Sequence, residues 1–278
     1  MGLVLRGTEN MRIWHQSFTV LGDLPGYEDA MRAHLAKILR PDTEVVFHGQ
    51  AAGTYPSDYP GDDIGYGYTY WIHGNQWVAA GRAAEARGFD AFAMCTLPNP
   101  MLREVRSILD IPVIGMGETC CHLATMFGQR FAIMLFIDRM IPLYQEQVRN
   151  YGLTDRCAGV VASGLTFQDV LPGYANPGPV IEKFQDAARR VIKETGADVI
   201  IPGEVPLNLL MARNGITRVD DVPIIDGLAS TMKMAELMVD LQKATGIKHS
   251  RQGWFNSVPS KARLDQVAGF YGVDKLQF

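Results

Sequence analysis

Short apolar runs bounded by turn residues recur along the chain, and stretches with helical spacing lie between them. The runs DVIIP (198–202) and VPII (222–225) are continuously apolar and rich in β-branched residues, which is typical of strands buried on both faces of a parallel sheet. Helical spacing is clearest in 27–39 and in 141–151, which Gly152 follows as a C-cap residue. Strands are predicted at 12–16, 44–48, 90–94, 112–115, 130–136, 157–161, 198–202 and 222–226.

The alternation of strands and helices predicts an α/β fold with right-handed crossovers. A segment near the middle, GFDAFAMCTLPNP (88–100), resembles a later one, GADVIIPGEVPLN (196–208), and both lead to an Asp-X-Pro turn and a further apolar run. We therefore predict two pseudo-symmetric lobes, each a four-stranded parallel sheet flanked by helices, with an active-site cleft between them. The predicted boundaries are 11–115 with 228–245 for the first lobe, 116–227 for the second, and 246–278 for a C-terminal extension.

Two segments stand outside this pattern. Residues 49–71 are rich in Gly, Tyr, Pro and Asp, and this composition is compatible with a lid, an oligomer contact or a long surface loop. Residues 249–278 carry several aromatic side chains, which predict docking onto the chain's own fold or onto a partner subunit.

Composition narrows the class of protein. Of 278 residues, 47% are apolar and 20% charged, and the net charge of −4 comes with scattered Lys and Arg residues. This balance argues against nucleic acid or an anionic membrane as the main partner. Because no apolar run reaches the roughly 18–20 residues of a membrane span and the start lacks the apolar core of a signal peptide, we expect a cytoplasmic protein.

The cysteines show no metal-binding spacing. Cys120, Cys121 and Cys157 are expected to be buried small hydrophobic residues, and no glycine-rich nucleotide motif is present. We therefore expect neither a metal site nor a nucleotide-binding site.

Chemically useful side chains lie at the tips of the two similar loops. Glu204 is interpreted either as a general acid/base with a pKa raised by burial or as a cap of the helix that follows it. Cys95 is either a cleft thiol, whose pKa a helix amino terminus would lower, or a buried strand-end residue. Thr96 is expected to donate a hydrogen bond to a substrate oxygen or to form a turn.

Further candidates follow other predicted strands or begin helices. Asn99 is expected to cap a helix that starts at Pro100, and Thr119 to cap the helix after it. The predicted substrate-binding residues are His15, Gln16, Ser17, Asn99, Glu118, Thr119, Gly203 and Asn208.

The order and spacing of these pieces resemble the aspartate/glutamate/hydantoin racemase superfamily over about residues 11–245. The pieces are the strand 90–94 with the helix start after it, IPVIGMGE (111–118), GQRFAIML…DRMIPLYQEQVRNYGL (128–153) and 196–208, and the third is most similar to the hydantoin racemase branch. The resemblance implies two flavodoxin-like lobes and a reaction without a cofactor. It also implies that one Cys from each lobe faces opposite sides of a substrate carbon.

The residues at the matching positions differ from that pattern. Gly203-Glu204 stands at the family's Gly-Cys pair, and Thr96 stands four residues before Pro100, where the other family Cys lies. Cys95 precedes Thr96 by one residue. The family's Asn-Pro-Asn-Thr loop is replaced by the run from His15 to Thr19.

The predicted function is a cofactor-independent racemase or epimerase of a small hydantoin- or amino-acid-derived carbonyl compound, acting by proton abstraction α to the carbonyl. The alternatives are a lyase such as a decarboxylase, or a hydrolase, acting on a related substrate on the same fold, and a non-catalytic small-molecule binder. The expected partners are a small-molecule substrate and further copies of the chain, as a dimer or tetramer.

Overall fold

Two parallel β-sheets organise the chain in a computed structural model that describes residues 10–276. The expectation about a signal peptide rests largely on residues 1–9, which lie outside the described residues. The strands are β1 (Met11–Gln16), β2 (Thr43–His48), β3 (Ala91–Met94), β4 (Val113–Gly115), β5 (Phe131–Leu135), β6 (Cys157–Ala162), β7 (Val199–Pro202), β8 (Arg218–Val219) and β9 (Val222–Pro223). The strand orders are β2-β1-β3-β4 and β6-β5-β7, and β8 and β9 form a small antiparallel pair.

Helices cover the faces of both sheets. They are α1 (Pro25–Leu35), α2 (Gly61–Ile64), α3 (Gly67–Ala86), α4 (Leu102–Ile108), α5 (Met116–Phe127), α6 (Ile141–Asn150), α7 (Phe167–Val170), α8 (Gly178–Thr195), α9 (Val205–Arg213), α10 (Gly227–Thr245) and α11 (Lys261–Tyr271). Single 3₁₀ turns occur at Asp138–Met140, Thr154–Arg156, Leu171–Tyr174 and Val273–Lys275. The prediction of an α/β fold with parallel sheets flanked by helices is confirmed.

The second sheet has three strands where four were predicted. The first seven predicted strands appear within one residue of their predicted bounds. The eighth is reduced to a parallel bridge between Ile224 and Ile200, because Val222–Pro223 pairs with Arg218–Val219 instead. Pro223 has no backbone N–H to donate to a parallel ladder.

One predicted helix start and one predicted irregular segment differ in the structure. Helix α4 begins at Leu102 and not at Pro100, because Asn99 and Met101 have left-handed backbones with φ of 42° and 54°. The segment 49–71 is not a single loop, since α2 lies within it and α3 begins at Gly67.

Helix α10 returns to the first sheet. It contacts β3, β4 and α5, and its residues Leu228, Met232 and Ala235 are fully buried. This packing supports the proposed assignment of residues 228–245 to the first lobe, and the lobe boundaries themselves stay a prediction.

The C-terminal segment docks onto the first half of the chain. The Arg251 guanidinium donates hydrogen bonds to the carbonyl oxygens of Ser107 (2.7 Å) and Leu109 (2.6 Å), beside the end of α4. The side chains that led to the docking prediction nevertheless remain exposed: Trp254, Phe255, Phe270 and Tyr271. Polar contacts therefore hold this segment more than its aromatic rings do.

Candidate functional site

A cavity of about 60 Å³ lies where the carboxyl ends of β1 and β3 meet those of β5 and β7. Both halves of the chain contribute to its walls. Of the residues predicted from the sequence, those that line it are Ser17, Cys95, Thr96, Gly203 and Glu204. The two similar loops therefore share one cavity.

Glu204 reaches the cavity because the backbone at Gly203, just before it, passes very close to β5. A Cβ atom at Gly203 would collide with the side chain of Leu135, so only glycine fits between β7 and Glu204. Glu204 occupies the N-cap position of α9, but its side chain makes no capping bond. Its carboxylate instead accepts the backbone N–H groups of Phe136 (2.9 and 3.0 Å) and Ile137 (2.9 Å).

The surroundings of Glu204 change its protonation. Its side chain is only 9% exposed, and burial raises the pKa of its carboxyl to about 8. Burial is the largest effect. The hydrogen bonds from the backbone N–H groups of Phe136 and Ile137 lower the pKa, and the nearby Asp138 raises it. Both protonation states of Glu204 are therefore accessible near neutral pH, as a general acid/base requires.

Cys95 borders the cavity as a neutral thiol. It is 1% exposed, and its Sγ donates to the carbonyl oxygen of Ala93 at 3.6 Å. Burial raises the pKa of the Cys95 thiol well above its usual range, so the expectation that a helix terminus lowers it is wrong. At neutral pH the resting form of Cys95 is therefore the thiol, which can donate a proton.

Hydroxyl groups line the part of the cavity supplied by the first sheet. The hydroxyls of Ser17 and Thr19 lie 2.9 Å apart and form a hydrogen bond. Within residues 10–276 the hydroxyl of Thr96 makes no hydrogen bond, although the residue is only 8% exposed. Thr96 thus has a free donor for a ligand oxygen.

The described part of the cavity wall contains no Lys, Arg or His. Tyr144 lines it and donates its hydroxyl to the carbonyl oxygen of Gly203 at 3.0 Å, which holds the Glu204 loop in place. A ligand carboxylate would find no cationic partner here, so the cavity suits an uncharged molecule.

Two predicted binding residues of β1 lie behind the cavity rather than on its wall. His15 is fully buried beside the ring of Phe47, with ring centroids 4.8 Å apart, and burial lowers the His15 pKa to about 4. The Gln16 side chain accepts from Trp14 Nε1 (2.9 Å) and donates to the carbonyl oxygen of Gly49 (2.6 Å). The complete burial of His15 and the hydrogen-bond partners of Gln16 keep both side chains from the cavity.

The two asparagines hold backbone segments together. Asn99 accepts the N–H of Gly117 at 3.3 Å and donates to the Tyr151 hydroxyl at 2.9 Å, so it does not cap α4. Asn208 accepts the N–H of Gly227 at 2.9 Å and donates to the Ile225 carbonyl at 2.8 Å. Neither lines the cavity.

Glu118 and Thr119 lie within helix α5. Since this helix begins at Met116, Thr119 is an interior and buried position and caps nothing. The Glu118 carboxylate pairs with the guanidinium of Arg106 at 2.6 Å, on the side toward α4. Neither residue lines the cavity.

Sequence reasoning missed most of the aromatic wall. The aromatic rings that line the cavity are Phe18, Tyr27, Tyr59, Phe136, Tyr144 and Phe167. Phe136 had a usable signal, because it is the last residue of the predicted strand 130–136. No sequence signal placed Tyr59 or Phe167 in the wall, because their positions depend on contacts between distant parts of the chain.

Side-chain groupings and helix character within residues 10–276 bear on the class of site. Among residues 10–276, no three His, Cys, Asp or Glu side chains are arranged to hold a metal ion. None of the helices in the same range combines the length and the apolar character that crossing a membrane requires.

Comparison with known proteins finds hydantoin racemases among the relatives of this chain. A hydantoin racemase of Rhizobium meliloti is 28% identical over 205 residues, which are 71% of this chain and 80% of that protein. A hydantoin racemase of Pseudomonas sp. (strain NS671) is 28% identical over 164 residues, which are 59% of this chain and 64% of that protein. The chain thus spans slightly less than two thirds of the length of this second relative.

The fold also has solved counterparts. The allantoin racemase from Klebsiella pneumoniae superposes with a TM-score of 0.73 at 26% sequence identity, covering 90% of this chain and 94% of that one. The family model described as Asp/Glu/Hydantoin racemase matches residues 26–235, more than half of the chain. The resemblance seen in the sequence is confirmed, and the chain belongs to the Asp/Glu/hydantoin racemase family.

Proposed function

We propose that the protein is a cofactor-independent racemase or epimerase that moves a proton at a carbon α to a carbonyl group. One observation carries the proposal: Glu204, with a pKa of about 8, shares a buried cavity with the thiol of Cys95 and the free hydroxyl of Thr96. The names of the relatives, which are racemases, support this reaction over decarboxylation, hydrolysis or simple binding.

Glu204 is the group that takes the proton. In its ionised form the carboxylate removes the α proton, the C–H bond breaks, and the electron pair moves onto the carbonyl oxygen as an enolate. The hydroxyls of Thr96 and Ser17 are the donors available to that oxygen. Donors fixed in a buried site stabilise such charge more than they would in water.

Cys95 supplies the second proton in this scheme. Because its thiol is neutral at neutral pH, it delivers a proton to the planar enolate and then regains one from protonated Glu204. For the opposite enantiomer the roles reverse: Cys95 first passes its proton to the Glu204 carboxylate, the resulting thiolate removes the α proton, and protonated Glu204 returns a proton to the other face. In this scheme a carboxyl and a thiol of different pKa take the place of the two equivalent thiols of the family pattern.

The substrate class follows from the walls of the cavity. Relatives are named for hydantoin and allantoin, and the cavity described above has aromatic rings and hydroxyls but no cationic side chain. An uncharged cyclic ureide of the hydantoin type therefore fits better than an amino acid carrying a free carboxylate.

The experiment is to incubate the protein with single enantiomers of 5-substituted hydantoins in D₂O. Chiral chromatography and mass spectrometry then follow inversion and α-deuteration together. We expect both in the wild type, and a loss of about 100-fold or more in Glu204→Gln. Release of carbon dioxide or ring opening without α-deuteration would contradict the proposal.

A homo-oligomer of two or four copies and a cytoplasmic location complete the proposal. The exposed rings of Trp254, Phe255, Phe270 and Tyr271 support a further contact on the face of the C-terminal segment. Light scattering coupled to size-exclusion chromatography gives the number of copies, and a single copy would contradict the oligomer.

A further inference from the structure

An aromatic stack joins the two halves of the chain above the cavity. The rings of Tyr59, from the first half, and Phe167, from the second, lie 4.4 Å apart with an interplanar angle of 22°. Both rings also line the cavity. The stack therefore forms part of the cavity wall.

A surface groove of about 330 Å³ lies on the other side of this wall. Four residues border both the groove and the cavity: Tyr59, Gly61, Phe136 and Ile137. Of these, Tyr59 has the longest side chain, and it is only partly buried. Tyr59 is therefore the candidate for a movable side chain between the groove and the cavity.

The segment that carries Tyr59 is weakly attached to the second half. Within residues 10–276, no hydrogen bond joins residues 57–66 to the second half of the chain. Two ring contacts cross the gap, the stack on Phe167 and the guanidinium of Arg139, 4.8 Å from the centre of the Tyr66 ring, and Tyr59 also packs on the apolar cluster that contains Phe136. Each such contact is individually modest, so local opening is inexpensive.

Gly61 makes room for the closed position of Tyr59. A Cβ atom at this position would collide with the Tyr59 ring near its hydroxyl. Gly61 is the first residue of α2 and does not have a positive φ, so alanine is compatible with its backbone. Substituting it would displace the ring without removing it.

We propose that Tyr59 and Phe167 form a gate between the surface groove and the cavity, and that the closed gate is the wall against which the substrate packs. In this closed state the cavity of about 60 Å³ has room for a small ring, given that a water molecule occupies roughly 10–15 Å³ on the same scale. Substrate enters from the groove when Tyr59 leaves Phe167. The proposed gate controls access to the cavity, and the proposal does not depend on which reaction takes place there.

Cys95 provides a readout of the gate that needs no turnover. It lines the cavity and is 1% exposed, whereas Cys120 and Cys121 are equally buried inside α5 and do not line it. Iodoacetamide reacts with the thiolate, and burial raises the pKa of Cys95, Cys120 and Cys121 alike, so labelling is carried out at about pH 9 over a long time course. Site-resolved mass spectrometry then measures the modification of each thiol. The partly exposed Cys157 serves as a reference for reagent activity.

We expect Gly61→Ala and Tyr59→Ala to increase modification of Cys95 roughly threefold to tenfold, while Cys120 stays unmodified. Phe167→Leu, which opens the stack from the other half, should act in the same direction. Gly67→Ala is the matched control, because nothing lies within 4 Å of a Cβ atom at that position, and it should behave as the wild type.

Unchanged modification of Cys95 in these three variants would overturn the gate, and so would a parallel rise at Cys120. Because the measurement uses no substrate, it separates failure of the gate from failure of the proposed reaction. With 5-substituted hydantoins, loss of the closed wall should also raise KM more than it lowers kcat.

Discussion

Both carboxylate oxygens of Glu204 accept the same backbone N–H, that of Phe136, at 2.9 and 3.0 Å. Glu204 follows β7 and Phe136 follows β5, and these strands are neighbours in the second sheet. The carboxyl is thus held by the sheet rather than by its own helix. Its position is a consequence of how the two strands end side by side, and its raised pKa is a consequence of burial at that place.

The stability of the protein should depend on pH through Glu204. The folded pKa of about 8 lies above the ordinary value of 4.5, so between these values the folded state retains a proton that the unfolded chain releases. The associated stability is complete below about pH 4.5 and is lost as the pH rises through about 8.

Urea denaturation at a series of pH values measures this effect. The free energy of unfolding of the wild type should fall relative to Glu204→Gln by on the order of a few kcal/mol between about pH 5 and about pH 8. Parallel curves for the two proteins would mean that the pKa of Glu204 is not raised.

Gly203→Ala should move the Glu204 loop. The new methyl group would meet the side chain of Leu135, and overpacking of this kind costs about 1–3 kcal/mol. Thermal unfolding should show this loss, and α-deuteration should fall with it. Gly178→Ala, where nothing lies within 4 Å, is the control, and equal effects of both changes would contradict the tight approach.

Thr96→Val removes the free hydroxyl at nearly constant volume. If Thr96 donates to the enolate oxygen, kcat should fall by about 100-fold with little change in KM, whereas Thr96→Ser should keep most of the activity. Steady-state racemisation measures both. An unaffected Thr96→Val would assign the oxygen to another donor.

Cys95→Ala separates the two proton transfers. Removal of the α proton by Glu204 remains possible, so deuterium should still enter substrate of unchanged configuration, while inversion slows by at least about tenfold. Cys157→Ala, outside the cavity, is the control. Undiminished inversion in Cys95→Ala would leave Glu204 as donor on both faces.

Much of the fold could be predicted because its signals are local. The apolar runs such as 198–202 predicted the strands. The likeness of 88–100 to 196–208 predicted that Cys95, Thr96 and Glu204 share one cleft, as they do. Helix α3 was hidden by Gly74 and Gly81, which lower helix propensity but lie where Met101 and Val105 pack closely.

The rest of the site depends on distant contacts that a sequence does not display. Asn is a residue type that often caps helices, yet the side chain of Asn99 bonds to Gly117 and Tyr151. The pairing of Tyr59 with Phe167 joins two irregular segments from different halves. Side-chain direction at a strand end likewise decided that Ser17 lines the cavity while His15 and Gln16 do not.

The pH dependence of α-deuteration tests the central role of Glu204 most directly. For the wild type, kcat/KM for deuterium entry into a 5-substituted hydantoin should rise with an apparent pKa of about 8 and then level, as the carboxyl ionises. Glu204→Gln should show no such rise and almost no exchange. A wild-type profile that is flat through pH 8, or exchange retained in Glu204→Gln, would contradict the account.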